Sequence, residues 1–232
     1  MAEDVPFDPA PPDLLGCTRC PRLVVHRERV AQEKRRAYRD ETYWGKPVPG
    51  FGDLQARILL LGLAPGAHGS NRTGRMFTGD GSGNFLYPAL YRAGLASQPD
   101  ATSREDGLVL RDIFITAAAR CAPPDNKPTR EELMNCQSWL ERDFDGLPNI
   151  SVVLALGGIA HASYLELLQR LGHALTKAAH PFSHGALHTF TGAPPLLDSY
   201  HVSLQNTNTG RLTTKMFGDV LERAKALASH TE

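Results

Sequence analysis

The chain lacks an excess of either charge: 25 Lys and Arg stand against 25 Asp and Glu over 232 residues. A protein that attracts nucleic acid with its whole surface shows a basic surplus, so that mode is excluded, whereas a local basic face is not. Long apolar runs are missing too. The longest, "ARILLLGLA" and "VVLALGGIA", are strand-sized and fall short of the roughly 18 residues that a membrane span needs. The opening "MAEDVPFDPAPPDLL" is acidic and Pro-rich, the reverse of a secretory signal's basic start. A cytoplasmic location with no membrane partner is therefore expected. Cysteine is scarce, four in all, and disulfides are not expected in that compartment.

What is present suffices for one packed domain over residues 1–232, since 41% of the chain is hydrophobic and 22% charged. Residues 1–12 read as a flexible arm. Residues 22–39, "RLVVHRERVAQEKRRAYR", read as a basic helical stretch, and "YWGKPVPGFGD" after it as loop. Continuous apolar runs beginning at Arg57, Asp112, Ile150 and Leu196 suit strands buried on both faces of a parallel sheet, with "LHTFTG" as a further strand or hairpin arm. Helical patterns at 82–96, 129–144, 159–172 and 215–229 alternate with them. This alternation predicts a three-layer α/β/α sandwich around a mostly parallel, four-stranded sheet.

Ligands of such sheets bind at the carboxyl ends of the strands. After the four strands come "GLAPGAHGSNRTGRMFTGDGSGNF", "RCAPPDNKPT", "GGIAH" and "HVSLQNTNTGRLT". All are rich in Gly, Pro, His or amides, and together they mark one rim as a site. Cys17 and Cys20 form C-x2-C in the arm, while Cys121 ends a strand and Cys136 lies in the next helix. A redox C-x-x-C would sit at a helix start after a strand, which this one does not. The set points to a tetrathiolate metal site, zinc or iron–sulfur, with spacing alone naming neither.

"GLAPGAHGSNRTGRMFTGD", "RCAPPDNKPT" and "YHVSLQNTNTGRLT", in that order and with these four cysteines, resemble the iron–sulfur uracil-DNA glycosylases, specifically the family 5 (type b) group. The likeness runs from Cys17 to about Phe217. It implies a [4Fe–4S] cluster on Cys17, Cys20, Cys121 and Cys136, and DNA containing uracil or other deaminated bases as the partner of a monomeric enzyme. The chain departs from family 4 at Leu63, where those relatives carry Glu, and at Ala117, where they carry Asn. Both losses fit the type b group and imply a base spectrum that extends to hypoxanthine. The superfamily's His-Pro-Ser stands here as His201-Val202-Ser203.

Glycoside cleavage of this kind requires a flipped base, donors for the charge that spreads into it, and a positioned water. The resemblance makes His201 the donor to the base oxygen and Phe77 its stacking partner. It gives Asp80 the water or the charge on the sugar. Asn126 is expected to pair with the base edge or to hold the water, with the backbone of Gly62, Ala64 and Gly66 as the wall. Gln205, Asn206, Asn208 and Arg211 are expected to wedge into the duplex, and Arg72 and Arg75 to grip its backbone. Plainer readings compete: Phe77 as a core anchor, Asp80-Gly as a turn, Asn126 as a helix cap, although Thr129 with Glu132 caps better. His68, His180, His184 and His188 lack metal spacing and read as surface or supporting residues. No lysine stands out as a Schiff-base nucleophile. Lys127 is the nearest, and it reads as a phosphate contact, so no lyase step is expected. The competing class is a cluster-bearing nucleic-acid-binding module without catalysis. Nucleotide binding through "GDGSGNF" ranks low, since it lacks a P-loop lysine.

Overall fold

The computed structural model describes residues 7–229. Its sheet has six strands, in the order β1 (Phe51–Gly52), β3 (Ile113–Ala117), β2 (Ile58–Gly62), β4 (Val152–Leu156), β6 (Ala193–Ser199), β5 (Leu187–Phe190). The four expected strands are β2, β3, β4 and β6, and they pair in parallel. The count of four is corrected by an antiparallel strand at each edge. One is the "LHTFTG" arm; the other, β1, is two residues long and had read as loop.

Every residue of β2, β3 and β4 is buried, as continuous Ile, Leu, Val and Phe runs require when helices cover both faces. Ile58 and Leu60 turn to one face with α4 (Gly81–Arg92) and α8 (Thr214–Ser229). Leu59 and Leu61 turn to the other with α5 (Arg130–Asp145) and α6 (Gly158–Arg170). The period of two thus builds the α/β/α layers. Thr129 and Glu132 cap α5 reciprocally, Thr129 Oγ1 accepting from Glu132 N at 3.2 Å and Glu132 Oε2 accepting from Thr129 N at 2.7 Å.

Ahead of the sheet lie α1 (Pro12–Leu15) and α2 (Pro21–Glu33). Of the arm expected to be flexible, residues 1–6 lie outside the described residues. From residue 7 the chain is laid on the core: Phe7 packs against Phe114, ring centroids 6.3 Å apart. No helix among the described residues is long and apolar enough to cross a membrane.

Candidate active site and cysteine site

The loops after β2, β3 and β6 enclose a cleft of about 830 Å³, lined by Gly62, Ala64, Gly66, Phe77, Asp80, Ala117, Asn126, Lys127 and His201. The fourth loop, 157–161, expected on this rim, does not line the cleft. It supports it: a Cβ on Gly157, whose φ is +94°, would lie 3.3 Å from the Cβ of His201.

The floor is shaped by glycines. A Cβ on Gly62 would lie 2.9 Å from Cζ of Phe77, so the ring rests on the end of β2. Phe77 is 9% exposed and holds a left-handed backbone at φ +53°. That conformation is strained for an aromatic residue and persists only where the surroundings enforce it. Its ring lies 6.2 Å from that of His201, at 36°. Core anchor and cleft wall are thus both true of Phe77.

Asp80 likewise carries two readings at once. Its Oδ1 caps α4, accepting from Ser82 N and Gly83 N, both at 3.0 Å. Its Oδ2 faces Gly66 and Gly69, where a Cβ would come within 2.9 Å and 2.0 Å of it. Burial pushes the Asp80 carboxyl up, against the pull of those two N–H groups. His201 is pushed down to about 4 by burial alone, so its ring is neutral at pH 7 and holds one N–H donor and one acceptor. Among the described residues neither ring nitrogen of His201, nor Oδ2 of Asp80, nor the amide of Asn126 has a hydrogen-bond partner.

The loop after β6 folds into a short helix, α7 (Leu204–Asn208), closed by Gly210 at φ +72°. Gln205 points along the cleft and Asn208 is exposed beyond it. Arg211 is exposed and stacks over Tyr200, its guanidinium carbon 4.6 Å from the ring centroid. Asn206 is a correction: its Nδ2 donates to His201 O at 2.8 Å, so its amide braces the histidine rather than reaching outward. Leu204, absent from the expected site, is 53% exposed and lies on Gly81 at the cleft mouth. The signal was an isolated apolar residue in a polar loop.

Arg72 and Arg75 are corrected as well. They are 8% and 3% exposed and face inward. Arg72 pairs with Glu41, donates to His68 O and Gly79 O, and stacks over Tyr38. Arg75 forms a fork on Asp106 at 2.8 and 2.6 Å, which outweighs the cost of burial and holds that carboxyl well below the usual range. Neither has a free edge for DNA.

The four cysteines line one cavity beneath α2, together with Trp139 and Arg120. Each sulphur accepts an N–H. Arg19 Nε reaches Cys17 at 3.3 Å, Arg27 Nη1 reaches Cys121 at 2.9 Å, Arg120 N reaches Cys136 at 3.3 Å, and Asn135 Nδ2 reaches Cys20 at 3.7 Å. Trp139 Nε1 is buried without a partner beside them. Burial pushes Cys121 up and Cys136 up to about 12, so holding both as thiolates calls for a cation. Elsewhere, His161, His188 and Asp198 bring ligand atoms within 4.8 Å of one another. His161 there is already bonded at both nitrogens, to Asp198 at 2.9 Å and to His180 O at 2.9 Å, which ties α6 to the end of β6.

A mostly parallel sheet covered by helices on both faces, with a polar cleft at its carboxyl rim and four cysteines gathered on a second cavity, defines an α/β protein of enzyme type. The chain belongs to the uracil DNA glycosylase superfamily, whose family model matches residues 49–225. Within it, the chain is 58% identical over 216 residues to the Type-5 uracil-DNA glycosylase of Thermus thermophilus, covering 93% of this chain and 95% of that one. It is 47% identical to the Type-5 enzyme of Pyrobaculum aerophilum over 92% and 89% of the two chains. To the Type-4 uracil-DNA glycosylase of the same organism it is 32% identical, over 57% and 60%. The type-5 resemblance stated from the motifs is borne out over most of the chain.

Proposed function

We propose that this protein is a DNA-repair glycosylase that hydrolyses the N-glycosidic bond of uracil in DNA and leaves an abasic site. The observation that carries this reading is the set of unpartnered groups converging on one cleft: a neutral imidazole, a carboxylate oxygen and an amide, around an aromatic floor. Water excluded, such groups act on charge that develops only in the transition state.

A base in the stack cannot reach Phe77, so the nucleotide must be flipped into the cleft. Leu204 and Gln205 at the mouth are suited to fill the vacated stack, as apolar wedges do elsewhere. As the C1′–N1 bond breaks, its electron pair passes to the base, and an N–H of His201 stabilises the charge on the base oxygen. Asp80 Oδ2 faces the sugar side, offsets the positive charge there and holds the water whose oxygen bonds to C1′; the proton that water gives up passes to the carboxylate and ends on the departing base anion. Asn126 reads the base edge or helps to hold that water. Ala117 at the end of β3 offers no amide to select uracil, which supports a spectrum reaching hypoxanthine. Lys127 lines the cleft; we read it as a phosphate contact in a monofunctional enzyme, acting as a monomer in the cytoplasm.

Cys17, Cys20, Cys121 and Cys136 are suited to hold a [4Fe–4S] cluster. No three of their sulphurs form a set within 4.8 Å among the described residues. A single zinc with bonds of about 2.3 Å would need thiolates about 3.8 Å apart. The donors aimed at all four sulphurs match the hydrogen bonding that clusters receive. When bound, the cluster supplies a structural tie between the arm and the end of β3, since hydrolysis needs no electrons.

The test is release of the base from labelled duplexes carrying uracil or hypoxanthine, with borohydride trapping alongside. Uracil release without trapping supports the reading. DNA binding without any release leaves a cluster-bearing binding module in its place.

A further inference from the structure

Removing Arg72 and Arg75 from the DNA surface leaves one wall of the cleft without a proposed contact to the backbone. The cleft, at about 830 Å³, is several times larger than a pyrimidine base and extends away from His201 to Arg35, Tyr38 and His68. In that far wall Arg35 and Tyr38 come from the N-terminal arm and His68 from the loop after β2. Cys20 is the N-cap of α2, and just beyond that helix's last residue, Glu33, the chain delivers Arg35 and Tyr38 to the cleft. The arm is thus fastened at one end by the cysteine site and reaches the cleft with the other.

Tyr43 joins the parts of this wall. Its hydroxyl accepts from Arg35 N at 3.3 Å and lies 3.0 Å from Nδ1 of His68. With a lone pair given to Arg35, the hydroxyl's own proton is available to Nδ1. In the tautomer in which the hydroxyl donates to Nδ1, the neutral imidazole carries its own proton on Nε2. Burial, followed by the charges of Arg35 and Arg72, pushes His68 down and keeps the ring neutral. Arg35 is exposed, and among the described residues it has no carboxylate partner. Glu41 is tied to Arg72, and neither Glu33, Asp40 nor Asp125, the other acids near this wall, forms an ion pair with Arg35 among the described residues. In a chain of zero net charge, an uncompensated guanidinium beside a fixed N–H donor is a local anion site. Arg35, Arg36 and Arg39 together form an exposed basic run.

We propose that Arg35 and the Nε2–H of His68 bind a backbone phosphate of the damaged strand, on the cleft wall opposite α7. This rests on the glycosylase reading and gives it the second grip that flipping needs. A strand held on one side only would slide rather than extrude its nucleotide.

The two contacts have different signatures. A guanidinium that neutralises a phosphate releases a counterion, whereas a neutral imidazole does not. Replacing Arg35 by Gln should therefore weaken binding to a uracil-containing duplex and flatten the slope of log Kd against log salt by about 0.9. Arg35→Lys should restore the slope. His68→Phe should weaken binding about ten-fold, the scale of one hydrogen bond to a charged acceptor, with the slope unchanged. His68→Gln, which keeps an N–H, should recover part of that. Titrations by fluorescence anisotropy at several salt concentrations read all four variants against the wild type. An unchanged slope for Arg35→Gln overturns the proposal, as does full affinity in His68→Phe. Uracil release by the wild type is scored separately, so failure of the glycosylase reading and failure of this site are told apart.

Discussion

The cysteine site and the cleft lie at opposite ends of α2 and treat their ligand-facing atoms in opposite ways. Around the cysteines every sulphur has a donor, from the side chains of Arg19, Arg27 and Asn135 and from the backbone N–H of Arg120. In the cleft, His201, Asp80 Oδ2 and Asn126 have no partner among the described residues. Asn126 is exposed, but leaving the half-buried His201 and Asp80 Oδ2 unsatisfied costs stability, and the protein accepts that cost where the missing partner is the substrate. The comparison teaches which region holds the fold and which does the chemistry. Variants of the first should lose structure, and variants of the second should lose rate.

The largest effect is expected from Cys136→Ser. Metal binding energy is folding energy in such sites, so losing a ligand should cost several kcal/mol and free the arm. Iron content and thermal unfolding measure it, and an unchanged iron content of about four per chain would contradict the ligand assignment. Next comes Arg75→Ala, which leaves the Asp106 carboxylate without its cation, held only by the backbone N–H groups of Thr102, Ser103 and Leu108. It should cost about 3–5 kcal/mol of stability, while the salt dependence of DNA binding stays as in the wild type. A flattened slope would return Arg75 to the DNA surface.

His201→Ala belongs to the other region. It should lower the single-turnover rate by about 10²–10³ with uracil paired to adenine or to guanine alike, because the loss is in chemistry rather than flipping. A strong dependence on the pairing would move His201 into the wedge. The smallest effect is on pH-dependent stability. The folded His201, at about 4, lies below the ordinary value near 6.5, so the unfolded chain binds the extra proton between those limits. Stability should therefore fall as pH drops from about 6.5 to 4 and stay level above. His201→Asn should flatten that fall by roughly 1–3 kcal/mol in urea unfolding. His26, His68 and His184 shift in the same direction and add to that fall.

Much of this was legible in the sequence. Strands buried on both faces leave uninterrupted Ile, Leu and Val runs, and the parallel core was read from them. Strand β1 left no such trace, because two residues ending in glycine carry no periodicity. Helix α7 escaped because Asn and Thr are poor helix formers and tertiary packing overrides them. His201, Phe77 and Asp80 were legible as members of motifs. The inward turn of Arg75 was not, since its partner Asp106 lies 31 residues away and only the fold brings them together. The role of Arg35 was hidden for the same reason: Tyr43 and His68 meet it only in space.

The central claim is that the cleft leaves Asp80 Oδ2 free for the sugar while Oδ1 holds helix α4. Asp80→Asn separates the two, since an amide oxygen can still accept from Ser82 and Gly83 but carries no charge. The measurement is the single-turnover rate of uracil release by this variant, taken beside its unfolding midpoint. The account predicts a rate at least about 100-fold lower, on the scale of one lost electrostatic contact in the transition state, with the midpoint within a few degrees of wild type. A variant that keeps the wild-type rate would show Asp80 to be a helix cap and nothing more.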